Sequence, residues 1–258
     1  MALLLHHRQL LAIEQTTQQH DSDAFHAAIL SAVAFQRELC HIEQCSMVLS
    51  RKRDQYRESL REEILAAARQ LFVAKGYEAT SIRAIAERVG ASPGIIYHYF
   101  EDKQDIMAHL VRETFQRLTT KLTAIRLDSD APLARLRRGL RTYIQFGLEH
   151  PHHYSLLFMH PHSWQSKDGH DSDKIRDVFM TEGDAALDCL RNMSAECIAK
   201  GLLRPEFQDP NELAQVLWPA IHGLVSIQIT CVTFPFLESG RLADRLTDIL
   251  VQGLVKQS

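Results

Sequence analysis

No stretch of this 258-residue chain alternates apolar and polar side chains with period two, so the sequence predicts no β-strand. Cysteine is scarce and unordered. Cys40, Cys45, Cys189, Cys197 and Cys231 are odd in number and form no Cys-x-x-Cys pair, which excludes a disulfide framework and reads as free thiols in a reducing cytoplasm. Eight prolines and eleven glycines are too few for a collagenous or low-complexity chain. Long apolar runs are missing too: no window approaches eighteen apolar residues, and Leu3-Leu4-Leu5 stops at His6-His7-Arg8. Neither a membrane span nor a signal-peptide core is expected. The chain has no Gly-rich phosphate loop, no GxSxG and no HExxH, and its carboxylates are scattered. It therefore reads as a non-enzyme, with no catalytic residues and no cofactor.

What is present is apolar content with helical period. Apolar residues make up 45% and charged residues 24% of the chain, enough for one large or two small globular domains. The formal net charge is −3, yet residues 51–118 carry twelve Lys/Arg against ten Asp/Glu. That segment alone has a positive balance, the sign a nucleic-acid face requires. Residues 1–50 read as an extension, disordered or upstream of a mis-started translation, with Leu10, Leu11, Ile29, Leu30, Val33 and Phe35 placed to line short amphipathic helices. Gln15 to Asp23 is polar and unpatterned, and Met47 precedes "VLSRKRDQ" as a second candidate start.

From Tyr56 the helical spacing is strict. Ile64, Leu65, Ala68, Leu71 and Phe72 line one face, and Gly76 supplies a left-handed stop. Thr80 or Ser81 caps a second helix with Ile82, Ile85, Ala86 and Val89 on one stripe, ended by Gly90. Ser92 and Pro93 fit the N-cap and first position of a third helix. Asp102 and Asp105 cap a fourth, whose buried face is Ile106 and Leu110. Two short helices joined by a Gly-containing turn make a helix-turn-helix. Beyond Pro132 the stripes continue: Leu133, Leu136, Leu140, Tyr143, Ile144 and Leu148, then Ile175 to Leu203, an almost wholly apolar 213–230, and Leu242, Leu246, Ile249, Leu250 and Leu254. The expectation is an all-α protein: a helix-turn-helix three-helix domain over 51–105 joined to a larger helical bundle over 106–258.

At about 100° per residue, Ile96, Tyr99 and Phe100 share one face of the third helix. Gly94 and His98 point the opposite way, with Ile95 and Tyr97 on the flanks. Lys103 stands in the first turn of the fourth helix, where the macrodipole disfavours a cation by roughly 0.3–1 kcal/mol. A phosphate between the two helix starts resolves that conflict; pairing with Glu101 or Asp105 is the alternative.

Residues 59–106 resemble the N-terminal domain of the TetR family of bacterial transcription regulators. The pieces are Gly76-Tyr77, Thr80-Ser81-Ile82, Ile85-Ala86, Gly90 and Ser92-x-Gly94-x-x-Tyr97-x-x-Phe100-x-x-Lys103. The resemblance implies a homodimeric cytoplasmic repressor that inserts the third helix of each subunit into a palindromic double-stranded operator and is released by a small effector. It places Ser81, Arg83, Tyr97, His98 and Lys103 on phosphates, and Pro93, Gly94 and Ile95, behind the Ser92 cap, at base edges. Ile95 suits a thymine methyl. Arg51, Lys52 and Arg53 are either a basic arm ahead of the first helix or a solvated turn.

"YIQFGLEHPHHYSLLFM" and Trp218-x-x-x-His222-Gly223 resemble TetR-type ligand domains, the latter of the Trp-His-Gly subclass. Such a domain implies a cavity for an apolar or aromatic effector. Tyr143, Phe146, Tyr154, Phe158, Phe179, Trp218 and His222 are candidate linings, with plain core packing as the alternative. The last two long helices would pair with their mates, placing Leu217, Leu224, Leu246 and Leu250 at a subunit interface. His150, His152, His153, His160, His162 and His170 raise a metal-sensing alternative. Zinc needs about four ligands, no Cys is near, and no metal site is assigned. A DNA-binding regulator with no small-molecule ligand is the remaining alternative.

Overall fold

The computed structural model describes residues 22–159 and 173–256. Among the described residues there are nine α-helices and no strand, the β pairing being one antiparallel bridge between Leu203 and Val255. The chain divides into two compact units, residues 1–60 and 61–258.

The described part of the first unit is helix throughout. It belongs to α1 (Ser22–Lys75), which begins well before the start near Tyr56 expected from apolar periodicity. The reason lies in what that segment omits: no Gly or Pro occurs between Ser22 and Lys75, so nothing breaks the i→i−4 ladder. Arg51, Lys52 and Arg53 are thus exposed helical residues, not an arm ahead of a helix.

In the second unit, the end of α1 is followed by α2 (Ile82–Arg88), α3 (Pro93–Tyr99) and α4 (Lys103–Arg126). Gly76 and Gly90 hold φ of 86° and 67°, a left-handed backbone that costs a side-chain-bearing residue roughly 1–2 kcal/mol. Ile64, Ala68 and Phe72 of α1 are buried, as are Ile85 and Ala86 of α2, Ile96 and Phe100 around α3, and Ile106 and Leu110 of α4.

The larger bundle contains α5 (Pro132–Glu149), α6 (Pro151–Phe158), α7 (Asp173–Ala199), α8 (Pro210–Thr230) and α9 (Ser239–Leu254). Helix α4 starts in the helix-turn-helix, and the same helix packs along α7. Helix α5 packs against α4, α7, α8 and α9, burying Leu136, Leu140 and Ile144.

Helix α8 is, by length and composition, long and apolar enough to cross a membrane, against the expectation of no such helix. Its Leu213, Leu217, Ile221 and Val225 stripe is buried inside the subunit, so its apolarity has an internal partner. Leu217 is consequently a core residue at 1% exposure, not the interface residue expected. Val216 and Ile227 lie off that stripe and are exposed by 60% and 51%. Leu224, Leu246 and Leu250 are half-buried, whereas Ile249 is exposed.

Candidate functional site

Two places bring the singled-out residues together. The first is the exposed side of α2 and α3. Ser81 caps α2, its Oγ accepting from the Ala84 N–H at 3.1 Å, while Thr80 is buried and donates to the Gly76 carbonyl at 2.8 Å. Ser92 stands at the N-cap of α3 with Pro93 behind it, and its hydroxyl makes no capping bond. Ile96 is fully buried and Phe100 nearly so, which anchors this two-turn helix by its inner side. Ser92, Pro93, Gly94, Ile95, Tyr97 and His98 are all exposed, and so are Ser81 and Arg83 of α2. Tyr99 is half-buried.

Lys103 has a different surrounding from the one its position suggested. Its Nζ donates to the Tyr77 carbonyl at 2.9 Å and to the Glu78 carbonyl at 3.5 Å, and sits 4.2 Å from the Tyr77 ring centroid. Two carbonyl dipoles and a π face offset the unfavourable macrodipole. A phosphate is not needed to account for a cation here. An ammonium has three donors, so the side chain joins α4 to the turn after α1 with one N–H to spare.

The α3–α4 corner is tightly bonded. Asp102 accepts the Asp105 N–H at 2.7 Å, and Asp105 in turn accepts the Glu101 N–H at 3.1 Å, a reciprocal cap of the kind expected from their spacing. Lys174, in the first turn of α7, reaches Glu101 at 2.9 Å and Asp105 at 3.1 Å. Burial opposes ionisation of Asp105, yet the Glu101 N–H and the Lys174 ammonium hold its carboxyl below the usual carboxylate range.

The second place is a cavity of about 290 Å³ between α4, α5, α7 and α8, extending to Phe158 at the end of α6. Of the residues singled out from sequence, Tyr143, Phe158, Phe179 and Trp218 line it. Phe115 and Leu118 of α4, Leu140 of α5, and Met180, Leu190 and Met193 of α7 line it as well; their helical spacing marks them only as core. Phe115, Phe158 and Phe179 meet edge to face with centroids 5.2 to 6.2 Å apart, the geometry aromatic quadrupoles favour. Phe146 is buried outside the lining, against His150.

Tyr154 and His222 also lie outside the lining, joined to it by hydrogen bonds. Trp218 Nε1 donates to the Tyr143 hydroxyl at 3.0 Å. The Tyr143 and Tyr154 hydroxyls are 3.1 Å apart, and His222 Nδ1 lies 2.5 Å from the Tyr154 hydroxyl and 3.3 Å from that of Tyr143. Burial pushes the Tyr143 phenol up to about 12 and Tyr154 further, through burial and then its Tyr143 neighbour. Burial also lowers the His222 pKa. All three are neutral near pH 7, which lets the chain be built of uncharged donors and acceptors.

The histidine-rich stretch does not assemble among the described residues. His150 and His153 meet as rings 5.5 Å apart, and no group of three His, Cys, Asp or Glu capable of holding a metal occurs there. His160, His162 and His170 lie outside the described residues.

An exposed recognition-type helix set on a buried Ile–Phe anchor, in a chain that also carries an apolar cavity between its helices, defines the class of helix-turn-helix regulators with a helical regulatory domain. Residues 64–110 match the model for bacterial regulatory proteins of the tetR family, and residues 136–251 that for the tetracyclin repressor-like C-terminal domain. The chain belongs to the TetR family, whose members are transcriptional regulators and not enzymes. It is 43% identical over 58 residues to the HTH-type transcriptional repressor AcnR of Corynebacterium diphtheriae, over 22% of this chain and 30% of that one. The chain thus matches less than a third of that relative's length. Among solved structures, the MbdR regulator from Azoarcus sp. CIB superposes with a TM-score of 0.62 at 25% identity, over 76% of this chain and 98% of that one. The fatty acid degradation regulator FadR from Bacillus halodurans superposes with a TM-score of 0.61 at 19% identity, over 75% and 95%, a likeness of fold.

Proposed function

We propose that this protein is a cytoplasmic, homodimeric DNA-binding repressor whose hold on a palindromic operator is released when a small apolar effector enters the cavity. The observation that carries the first half is the exposed row Ser92 to Ile95, Tyr97 and His98, set on buried Ile96 and Phe100. In this reading α3 lies in the major groove. Pro93, Gly94 and Ile95 meet base edges, with Ile95 at a thymine methyl, while Ser81, Arg83, Ser92, Tyr97 and His98 take phosphates together with the spare N–H of Lys103. Hydrogen-bonded base readout is sparse on such a face, so DNA shape contributes to specificity. The cavity's apolar lining supports the second half, as does α4, one helix running from the helix-turn-helix to the cavity wall. Trp218 and His222, joined through Tyr143 and Tyr154, support placing the regulatory domain in the Trp-His-Gly subclass.

Selection from random duplexes with the full chain tests the reading, and should yield a palindrome with half-sites about one helical turn apart. Arg83→Ala, which removes one phosphate contact from each subunit of the dimer, should weaken every sequence alike and reduce the slope of log affinity against log salt by about 1.8, whereas Ile95→Ala should change the preferred base instead. Failure to enrich any duplex would remove the DNA-binding assignment.

A further inference from the structure

The chemistry of the cavity wall says what charge its occupant carries. Among the described lining residues, Arg191 is the one cation, and its guanidinium is engaged on three sides. Nε donates to Asn211 at 3.0 Å, Nη1 to Asp188 at 2.5 Å and Nη2 to Asp184 at 2.7 Å. Asp184, the one lining acid described, is the other half of that pair. One arginine facing two carboxylates leaves a local excess of negative charge, which repels an anion and offers it no fork to bind. A carboxylate in this cavity would be a buried charge without a counter-ion, the arrangement proteins avoid most strongly. A cation would meet that negative excess only at the exposed, solvent-screened side chains of Asp184 and Asp188, and against the apolar lining it would be as unpaired as an anion.

The remaining lining groups that hydrogen-bond through their side chains are Tyr143 and Trp218, and they end a chain that runs in either direction. With His222 protonated at Nε2, the one Nδ1 lone pair takes the closer Tyr154 hydroxyl at 2.5 Å rather than Tyr143 at 3.3 Å, so Tyr143 donates to Tyr154 and Trp218 donates to Tyr143. Every phenolic hydrogen is then used, and Tyr143 keeps a lone pair. With His222 protonated at Nδ1 the order reverses: Nδ1–H donates to Tyr154, Tyr154 donates to Tyr143, and the Tyr143 hydrogen has no acceptor left in the chain. Tyr143 therefore presents either a donor or an acceptor, whichever the occupant lacks, and His222 changes tautomer without changing charge.

Resting on the effector reading above, we infer that the cavity binds an uncharged apolar molecule with a single neutral oxygen function, such as a ketone, ester or hydroxyl, hydrogen-bonded to Tyr143. At about 290 Å³ the site is at the small end of ligand pockets, roughly 300–1,000 Å³, consistent with one short chain or ring system.

Three probes matched in length test this: 2-undecanone, decanoate and decylammonium, each below its critical micelle concentration at pH 7.5. Replacing Trp164, which lies outside the described residues, by Phe leaves Trp218 on the cavity wall as the sole indole reporter. The ketone should quench Trp218 saturably, with both ions at least about tenfold weaker. Either ion binding as tightly as the ketone would overturn the neutral assignment and leave the cavity an effector site. No saturable quenching by any of the three would count against the cavity as a ligand site, and so against the effector reading itself. Tyr143→Phe should cost the ketone about fivefold. Unchanged ketone affinity in that variant would remove Tyr143 as the anchor, and if the variant does not fold, the ranking on the Trp164→Phe protein still decides the charge.

Discussion

His153 shows how a single side chain carries a pH dependence that no motif announces. It sits on α6, half-buried, with Nε2 buried and without a hydrogen-bond partner among the described residues. Burial, then the charge of Arg69, then His150, bring its pKa down to about 4. Above about pH 6.5 the imidazole is neutral in folded and unfolded chains alike. Between there and about pH 4 the unfolded chain binds a proton that the folded one refuses, so stability falls as pH falls through this window. Discounted for partial solvent access, the loss at pH 5 is about 1 kcal/mol, or about 2–4 °C in the unfolding midpoint. His153→Gln should flatten that dependence in calorimetry between pH 7 and 5; an unchanged slope would show that the ring protonates freely in the folded protein. His222 adds a contribution of the same sign, since burial lowers its pKa too.

At the level of elements, the bundle depends on how closely its helices approach. A Cβ built on Gly147 of α5 would lie 2.5 Å from Val225 Cγ1 of α8 and 2.9 Å from Tyr154 Cδ2 of α6. Two buried side chains on two other helices would have to retreat. Gly139, two turns earlier on the same helix, meets the methyl end of Met193 at 2.7 Å, and an unbranched thioether swings aside easily. Gly147→Ala should therefore lower stability by about 1–3 kcal/mol, and Gly139→Ala by clearly less, in urea titrations of the two variants. Equal costs would mean that the α5–α8 contact yields as readily as a methionine does. Tyr154 also bonds to His222 and Tyr143, so Gly147→Ala should disturb the polar chain behind the cavity as well as the packing.

For the molecule as a whole, the exposed apolar residues of α8 and α9 ask for a partner. Val216 and Ile227 on α8 and Ile249 on α9 are exposed by 60%, 51% and 66%, with half-buried Leu246 and Leu250 beside Ile249 on α9. In the proposed dimer, a second copy would lay the same two helices against these in an isologous four-helix contact, which closes without leaving an apolar face outside. Ile249→Asp should shift sedimentation at micromolar concentration from dimer to monomer and weaken operator binding, because two half-sites need two subunits. A wild-type monomer under the same conditions would remove the docking geometry.

Much of this was legible from residue order, and the exceptions have a common cause. Helical period and local caps specify the all-α class, the helix-turn-helix, its Gly76 and Gly90 stops and the outward set of α3, because each depends on residues within about one turn of one another. Lys103 was not legible: its carbonyl partners belong to Tyr77 and Glu78, more than twenty positions earlier, and distance along the chain conceals them. The start of α1 escaped for another reason: Ile29, Leu30, Val33 and Phe35 mark only short amphipathic helices, and that one helix runs unbroken to Lys75 is signalled only by the lack of Gly and Pro. An almost wholly apolar 213–230 stretch also left undecided which side of α8 is buried. Packing against α5 and α7 sends Leu217 inward and leaves Val216 outside. The cavity is the furthest from the sequence: which of its aromatics face empty space, and which, like Tyr154 and His222, stand behind it on a hydrogen-bonded chain, is decided where four helices meet, by side chains brought together only on folding.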